Sequence, residues 1–190
     1  MKLDDKDRII ISMYADDPDI SQEKIATRIH MTQPAVAARV AWLRKNGGLE
    51  KLLGVNPMKM GMFLAKVDVS STEPHKILKR FHNCPYFANG FSTSGQRNLC
   101  LLFFSESVST LESIINCHIH QDPSVKAVDF DIVINAEKDY IIPIKLKPEL
   151  CDEAPCGMEG MCFDCSNYKE EKCTGCPATG QYRGAFYDSR

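Results

Sequence analysis

The sequence predicts an α+β protein in three parts, a helical segment over 1–60, a mixed segment over 61–147 and a tail over 148–190. Three observations carry that prediction. Apolar residues recur at helical spacing in three short stretches before residue 46. Period-two alternation then exchanges with helical spacing up to residue 135, in the order β-α-β-β-α-β. Finally, six of the nine cysteines fall between Cys151 and Cys176.

In the first part, Leu3, Ile9, Ile10 and Met13 are expected on one helical face. Asp4 is placed to cap that helix, with Asp7 in its first turn. Asp16-Asp17-Pro18-Asp19 ends it. Ser21 caps a second helix carrying Ile25, Ala26 and Ile29. His30-Met31 makes a tight connection, and Thr32 caps a third helix with Pro34 in its first turn. There Val36, Val40 and Leu43 point to a core, and Asn46-Gly47-Gly48 stops the helix. Leu49–Val55 reads as a short hairpin wing or connector. Two short helices across a tight turn form a helix-turn-helix pattern, and this one has small residues and arginines on its second helix. Over residues 20–60 seven basic residues meet two acids, the charge expected of a surface for a polyanion. The residues expected to face double-stranded DNA are Thr32, Gln33, Pro34, Ala37, Ala38 and Arg39, with Arg44 and Lys45 near phosphates.

In the second part, Phe63, Ala65, Val67 and Val69 alternate with Leu64, Lys66, Asp68 and Ser70, as in a half-buried strand. A helix follows Pro74 with Ile77, Leu78 and Phe81. Phe87–Ser94 is a second strand, turned by Gly95-Gln96-Arg97-Asn98. Leu99–Phe104 is an apolar run expected to be buried on both faces. Val108, Leu111, Ile114 and Ile115 mark a second helix, and Val128, Phe130, Ile132 and Ile134 a last strand. This order is ferredoxin-like. Two helices cover one face of such a sheet, so the other calls for a second copy of the chain, a homodimer or a larger homo-oligomer. Cys84, before Pro85, and Cys100 read as packing cysteines. Cys117-His118-Ile119-His120 reads as one stretch of helix whose side chains diverge, which argues against a shared ligand role.

The tail carries two C-x-x-C pairs, Cys162/Cys165 and Cys173/Cys176, besides Cys151 and Cys156. Two such pairs supply the four thiolates of a zinc site or an iron–sulfur cluster. Cys176-Pro177 resembles the Cys-Pro that closes ferredoxin cluster motifs, and six thiols exceed the four that one zinc takes. A 4Fe-4S cluster is therefore the first expectation; structural zinc and redox thiols remain open as alternatives. Apart from these cysteines the tail has few apolar residues, and the body's fold is not expected to need it. Tyr182, Phe186 and Tyr187 are expected to pack it back onto the body.

Other classes receive little support. No apolar run reaches the roughly 18 residues of a membrane span, so no membrane partner is expected. Met1-Lys2-Leu3-Asp4-Asp5-Lys6-Asp7 is too acidic for a secretory signal, which makes the cytoplasm, with reduced thiols, the expected compartment. The histidines and acids form no nucleophile–base set, so the chain is not expected to be an enzyme. An iron–sulfur electron carrier or enzyme with a vestigial helix-turn-helix is the remaining alternative.

A family resemblance joins the first two parts. Leu3-Asp4-Asp5-Lys6-Asp7-Arg8-Ile9-Ile10 resembles the opening of the Lrp/AsnC (feast/famine) transcription regulators. Ile20–Ala26 is similar to their second helix, Met31–Leu43 with Gly47 to their recognition helix, and Gly54 … Asn56-Pro57 … Gly61 to their linker. The likeness spans roughly residues 1–145. It implies a DNA-binding regulator whose ferredoxin-like (RAM-type) domain dimerises and takes small effectors, commonly amino acids. Gly95, Gln96, Arg97 and Asn98 match the family's glycine turn; Asn98 stands where the family usually has Asp. The cysteine tail lies outside the family pattern. The resemblance and the tail together imply a regulator whose cluster senses redox state, iron or sulfur; the alternative is the same regulator with a zinc tail and an amino-acid-like effector.

Overall fold

In the computed structural model, residues 2–157 and 162–188 are described. The chain forms two compact units, one up to Leu52 and one from Leu53 onward, and the tail belongs to the second.

The first unit is built from α1 (Asp5–Asp16), α2 (Gln22–Arg28) and α3 (Gln33–Lys45). A reciprocal capping box starts α1: the Asp7 amide donates to Asp4 Oδ1 at 2.8 Å, and the Asp4 amide donates to Asp7 Oδ2 at 3.1 Å. Ser21 caps α2 by accepting from the Lys24 amide at 3.2 Å. His30, between α2 and α3, takes a left-handed conformation (φ 52°), which makes the turn tight. Ile10, Ile25, Ala26, Ile29, Val36, Val40 and Leu43 form the buried core. Ile9 is 43% exposed, against expectation, because a helix turns about 100° per residue and adjacent Ile9 and Ile10 cannot share a face. α3 ends in a Schellman arrangement: the Gly48 amide reaches Leu43 O (2.8 Å) and the Gly47 amide reaches Arg44 O (3.2 Å), with Gly47 at φ +67°. Of the two expected forms, hairpin wing or connector, Leu49–Asn56 takes the second, with no hairpin. Its one β-bridge, Val55 to Ile142, lies within the second unit.

The second unit carries β1 (Phe63–Ser71), α4 (Pro74–Phe81), β2 (Phe87–Ser92), β3 (Leu99–Ser105), α5 (Val108–Ile115) and β4 (Val125–Ile132). The sheet is antiparallel in the order β2-β3-β1-β4, the ferredoxin-like arrangement. Val67, Val69, Leu99, Leu101 and Phe103 are fully buried and form its inner face. Phe81 of α4 meets Phe103 edge-on at 5.0 Å. β3 is not buried on both faces along its length: Cys100 and Leu102 are half-exposed, because both helices lie on the other side. β4 stops at Ile132, and Ile134 is 89% exposed. A π-helical turn, Asn116–His120, extends α5.

The tail is woven into this unit. Buried Cys156 and Tyr187 belong to the same core cluster as Phe81 and Phe103. The Tyr86 hydroxyl donates to Gly175 O at 2.6 Å, and the Tyr187 hydroxyl donates to Pro85 O at 2.7 Å. Glu106 Oε1 accepts the amides of Ala185 (2.7 Å) and Phe186 (2.9 Å). The Tyr182 hydroxyl also donates to Glu106. Tyr182, Phe186 and Tyr187 thus dock the tail as expected, while the extent of burial makes it part of the body rather than an addition to it.

Candidate nucleic-acid interface and cysteine cavity

On α3, Val36, Val40 and Leu43 face the core, and positions i, i+4, i+7 and i+11 from Pro34 lie opposite: Pro34, Ala38, Ala41 and Lys45. Thr32, Gln33, Pro34, Ala38, Arg44 and Lys45 are exposed, and Ala37 is half-buried on the flank. Thr32 occupies the cap position, but its side chain makes no capping hydrogen bond. Trp42, 42% exposed, was not among the sequence candidates, although the same helical spacing places it on the outer side. The small side chains at 38 and 41 keep the outer face low, and α3 contains no acid.

Arg39 is turned toward α1. Its Nη1 donates to Asp4 Oδ2 at 2.7 Å and to Asp7 Oδ1 at 2.6 Å. Hydrogen bonds from the Asp7 backbone and then Arg39 hold the Asp4 carboxyl below its usual range. Arg39 therefore locks α3 to the α1 cap, and its charge is matched by two carboxylates. Arg39→Ala should cost about 1–3 kcal/mol, because Asp7 stays buried without its cation while solvent around the half-exposed guanidinium limits the loss. Faster amide exchange in α1 and α3 of the full chain would show it; unchanged exchange with weakened DNA binding would make Arg39 a DNA contact instead.

The turn Gly95–Asn98 is tied to its own sheet. Arg97 clasps Asp129 in a two-pronged contact, Nε to Oδ2 at 2.6 Å and Nη2 to Oδ1 at 3.0 Å. Asn98 accepts from the Ser71 amide (2.9 Å) and donates to the Ser71 carbonyl (2.7 Å). That pair of bonds requires an amide, since a carboxylate could not donate to the carbonyl. Gly95 and Gln96 are exposed at the tip.

The second feature is a cavity of about 60 Å³, large enough for several waters yet walled mostly by sulfur and carbon. Of the six predicted metal ligands, Cys156, Cys162, Cys165, Cys173 and Cys176 line it. Cys151 stands apart: it is exposed, and its amide donates to Ala178 O at 2.7 Å. The surprise is on the body side. Cys84, Cys117 and His118, set aside in the sequence, line the same cavity. Cys100 does not, and lies on the outer sheet face, as its packing reading allows. Cys156 Sγ is 3.7 Å from His118 Nε2, and Cys117 and Cys165 line the same cavity. Asn167 Nδ2 donates to Cys117 Sγ at 3.7 Å.

Burial, followed by the charge of Arg80, holds His118 down to about 4, so its imidazole is neutral near pH 7. Burial pushes Cys173 up to about 11 and Cys176 up to about 12. Cys84 and Cys162 move the same way for the same first cause. Such thiols stay protonated near neutrality unless a cation replaces the proton. None of the nine cysteines forms a disulfide. Among the described residues no three His, Cys, Asp or Glu side chains are gathered to hold a single metal ion as they stand. The thiols surround a volume rather than converge on a point.

Comparison with known proteins fits the two units. Residues 3–47 match the winged helix-turn-helix DNA-binding family. The transcriptional regulator AzlB of Bacillus subtilis is 23% identical over 150 residues, covering 75% of this chain and 96% of AzlB. Among solved structures, Escherichia coli AsnC superposes with a TM-score of 0.65 at 14% identity, over 75% of this chain and 99% of AsnC. B. subtilis LrpC does so with a TM-score of 0.61 at 21% identity, over 74% of this chain and all of LrpC. Residues 3–47 are thus similar to a winged helix-turn-helix family, and the chain has the two-part fold of these structures. Each match leaves about a quarter of the chain unpaired, a remainder the size of the tail.

Proposed function

We infer that the chain is a DNA-binding transcription regulator of the Lrp/AsnC type, acting as a homodimer or larger homo-oligomer, whose cysteine cavity holds an iron–sulfur cluster as a redox, iron or sulfur sensor. The observation that carries the sensor half is the cavity itself. Five tail thiols line one partly open cavity of the second unit. A lone zinc draws four sulfurs to within about 2.3 Å of one point, whereas a cluster keeps its thiolates apart around its own iron and sulfide. The arrangement is nearer the second case. For DNA, the exposed N-terminal turn of α3 presents Gln33 and Pro34 to base edges, and Arg44 and Lys45 supply phosphate contacts. The outer sheet face, where half-exposed Leu102 and exposed Phe91 sit beside the Lys66–Asp68 and Arg97–Asp129 pairs, is the surface offered to a second copy.

A sensor needs states that differ in their coupling to DNA binding or assembly. The test is a gel-shift and sizing comparison of anaerobically purified, oxidised and chelator-treated protein on its own promoter. The expected result is a visible band near about 400 nm that bleaches on oxidation, together with a DNA affinity that changes at least about tenfold between states. Equal affinity and equal size in all three states would leave a structural metal and no sensor. Arg44→Ala and Lys45→Ala should each lower the slope of log affinity against log salt by about 1.

A further inference from the structure

The geometry points to a metal centre shared between the tail and the α/β body, with Cys117 and His118 of the π-helical turn and Cys84 of the α4–β2 loop as ligands beside the tail cysteines. This rests on the reading that the cavity binds metal and adds which parts of the fold hold it.

The three residues enter from two separated places in the body. Cys84 follows α4, where its amide donates to Phe81 O at 2.9 Å, so the loop is fixed by the helix end. Cys117 and His118 are consecutive on the π-helical turn, and both reach the cavity. All three line the cavity together with the tail thiols, and His118 Nε2 lies 3.7 Å from Cys156 Sγ. Seven thiols and an imidazole line it, donors suited to iron or zinc; among the described residues the lining has no carboxylate, which a hard cation would want. The Asn167 amide aimed at Cys117 Sγ is the kind of N–H···S contact that stabilises a ligating thiolate. A thiol that only packs needs neither a polar donor nor a second thiol beside it.

The consequence is mechanical. A centre held by the tail alone would be attached to the regulator. A centre ligated by the turn after α5 would pull on the element that precedes β4, so loss of the metal would be felt inside the sheet domain.

The experiment uses the full chain, purified without oxygen, with iron, zinc and sulfide counted per chain. Cys84→Ser, Cys117→Ser and His118→Gln are set beside Cys162→Ser as a tail ligand and Cys100→Ser as a control outside the cavity. Each body variant should lose at least about half of the bound metal or shift the visible spectrum, as Cys162→Ser does, while Cys100→Ser should not. Should a variant fold poorly, as judged by circular dichroism, the wild type supplies the answer. Pulsed EPR of its reduced centre should show a nitrogen coupling that changes on ¹⁵N-histidine labelling. Wild-type metal and spectra in all three body variants, with loss in Cys162→Ser and no histidine coupling, would overturn the shared centre and leave the tail-only reading standing. Zinc in place of iron would overturn the iron–sulfur reading instead, and the same variants would then read the shared site by zinc content. A wild type without metal, or with an oxidised Cys117–Cys165 pair in its place, would overturn both.

Discussion

A chain ending at Pro148 should melt about 5–15 °C lower in its α/β unit than the full protein. The reason lies in what the tail covers. Tyr86, 3% exposed, loses both its ring contact with Tyr187 (centroids 6.0 Å apart) and the Gly175 carbonyl that takes its hydroxyl proton. Thr110, fully buried, loses Thr174, whose amide donates to its hydroxyl oxygen at 3.1 Å. Glu106 is left with none of its three tail donors. Exposing one large aromatic and stranding several polar groups costs about 3–5 kcal/mol on the body side. The tail's own ordering entropy disappears with it, which limits the loss. Calorimetry of the two lengths checks this. An α/β transition at an unchanged temperature would mean that the tail rests on the surface, as the sequence alone suggested.

Gly175→Ala should be strongly damaging, at roughly 2–4 kcal/mol. Gly175 has φ +81°, a conformation that L residues avoid. A β-carbon there would also lie 2.3 Å from Gln181 O and 2.7 Å from the Tyr168 ring. Those neighbours cannot easily yield. The same Gln181 carbonyl accepts the Tyr168 hydroxyl at 2.7 Å, and Arg183 lies 3.7 Å over the Tyr168 ring while its amide donates to Thr174 O. Gly180 is the matched control. Its φ is +67°, but a β-carbon would meet nothing within 4 Å, so Gly180→Ala should cost only about 1 kcal/mol. The gap between the two variants in denaturant midpoint isolates the steric part. Equal losses would show that backbone conformation alone is responsible. Because Gly175 sits inside the Cys173–Cys176 pair, its variant should also bind less metal than the Gly180 variant.

Much of this molecule could be read from its residues. The cap of α1 was visible in Asp4, with Asp7 in its first turn, and the stop of α3 in Gly47 and Gly48. The βαββαβ order followed from two alternating periods, with strand ends off by a few residues where Ile134 continued the pattern beyond the last pairing. The errors share a cause. Ile9 and the two-sided burial assigned to β3 were both inferred from local hydrophobicity, which says that a side chain is apolar but not whether anything lies above it. Arg39 was placed at DNA because charge on a recognition helix suggests phosphate; its pairing with Asp4 and Asp7, more than thirty residues earlier, was not legible from the helix alone.

The sequence by itself determined that a helix-turn-helix, a ferredoxin-like sheet and a set of clustered thiols follow one another, because capping, periodicity and C-x-x-C spacing are local properties. Only the tertiary structure decided where those thiols look. Cys84 and Cys117 stand 78 and 45 residues before Cys162, in stretches with no ligand spacing of their own. They meet the tail because Tyr86, Glu106 and Thr110 fasten it across the end of the sheet. A site assembled from such distant segments leaves no local pattern, since each of its residues satisfies only its own helix or loop until the chain has packed.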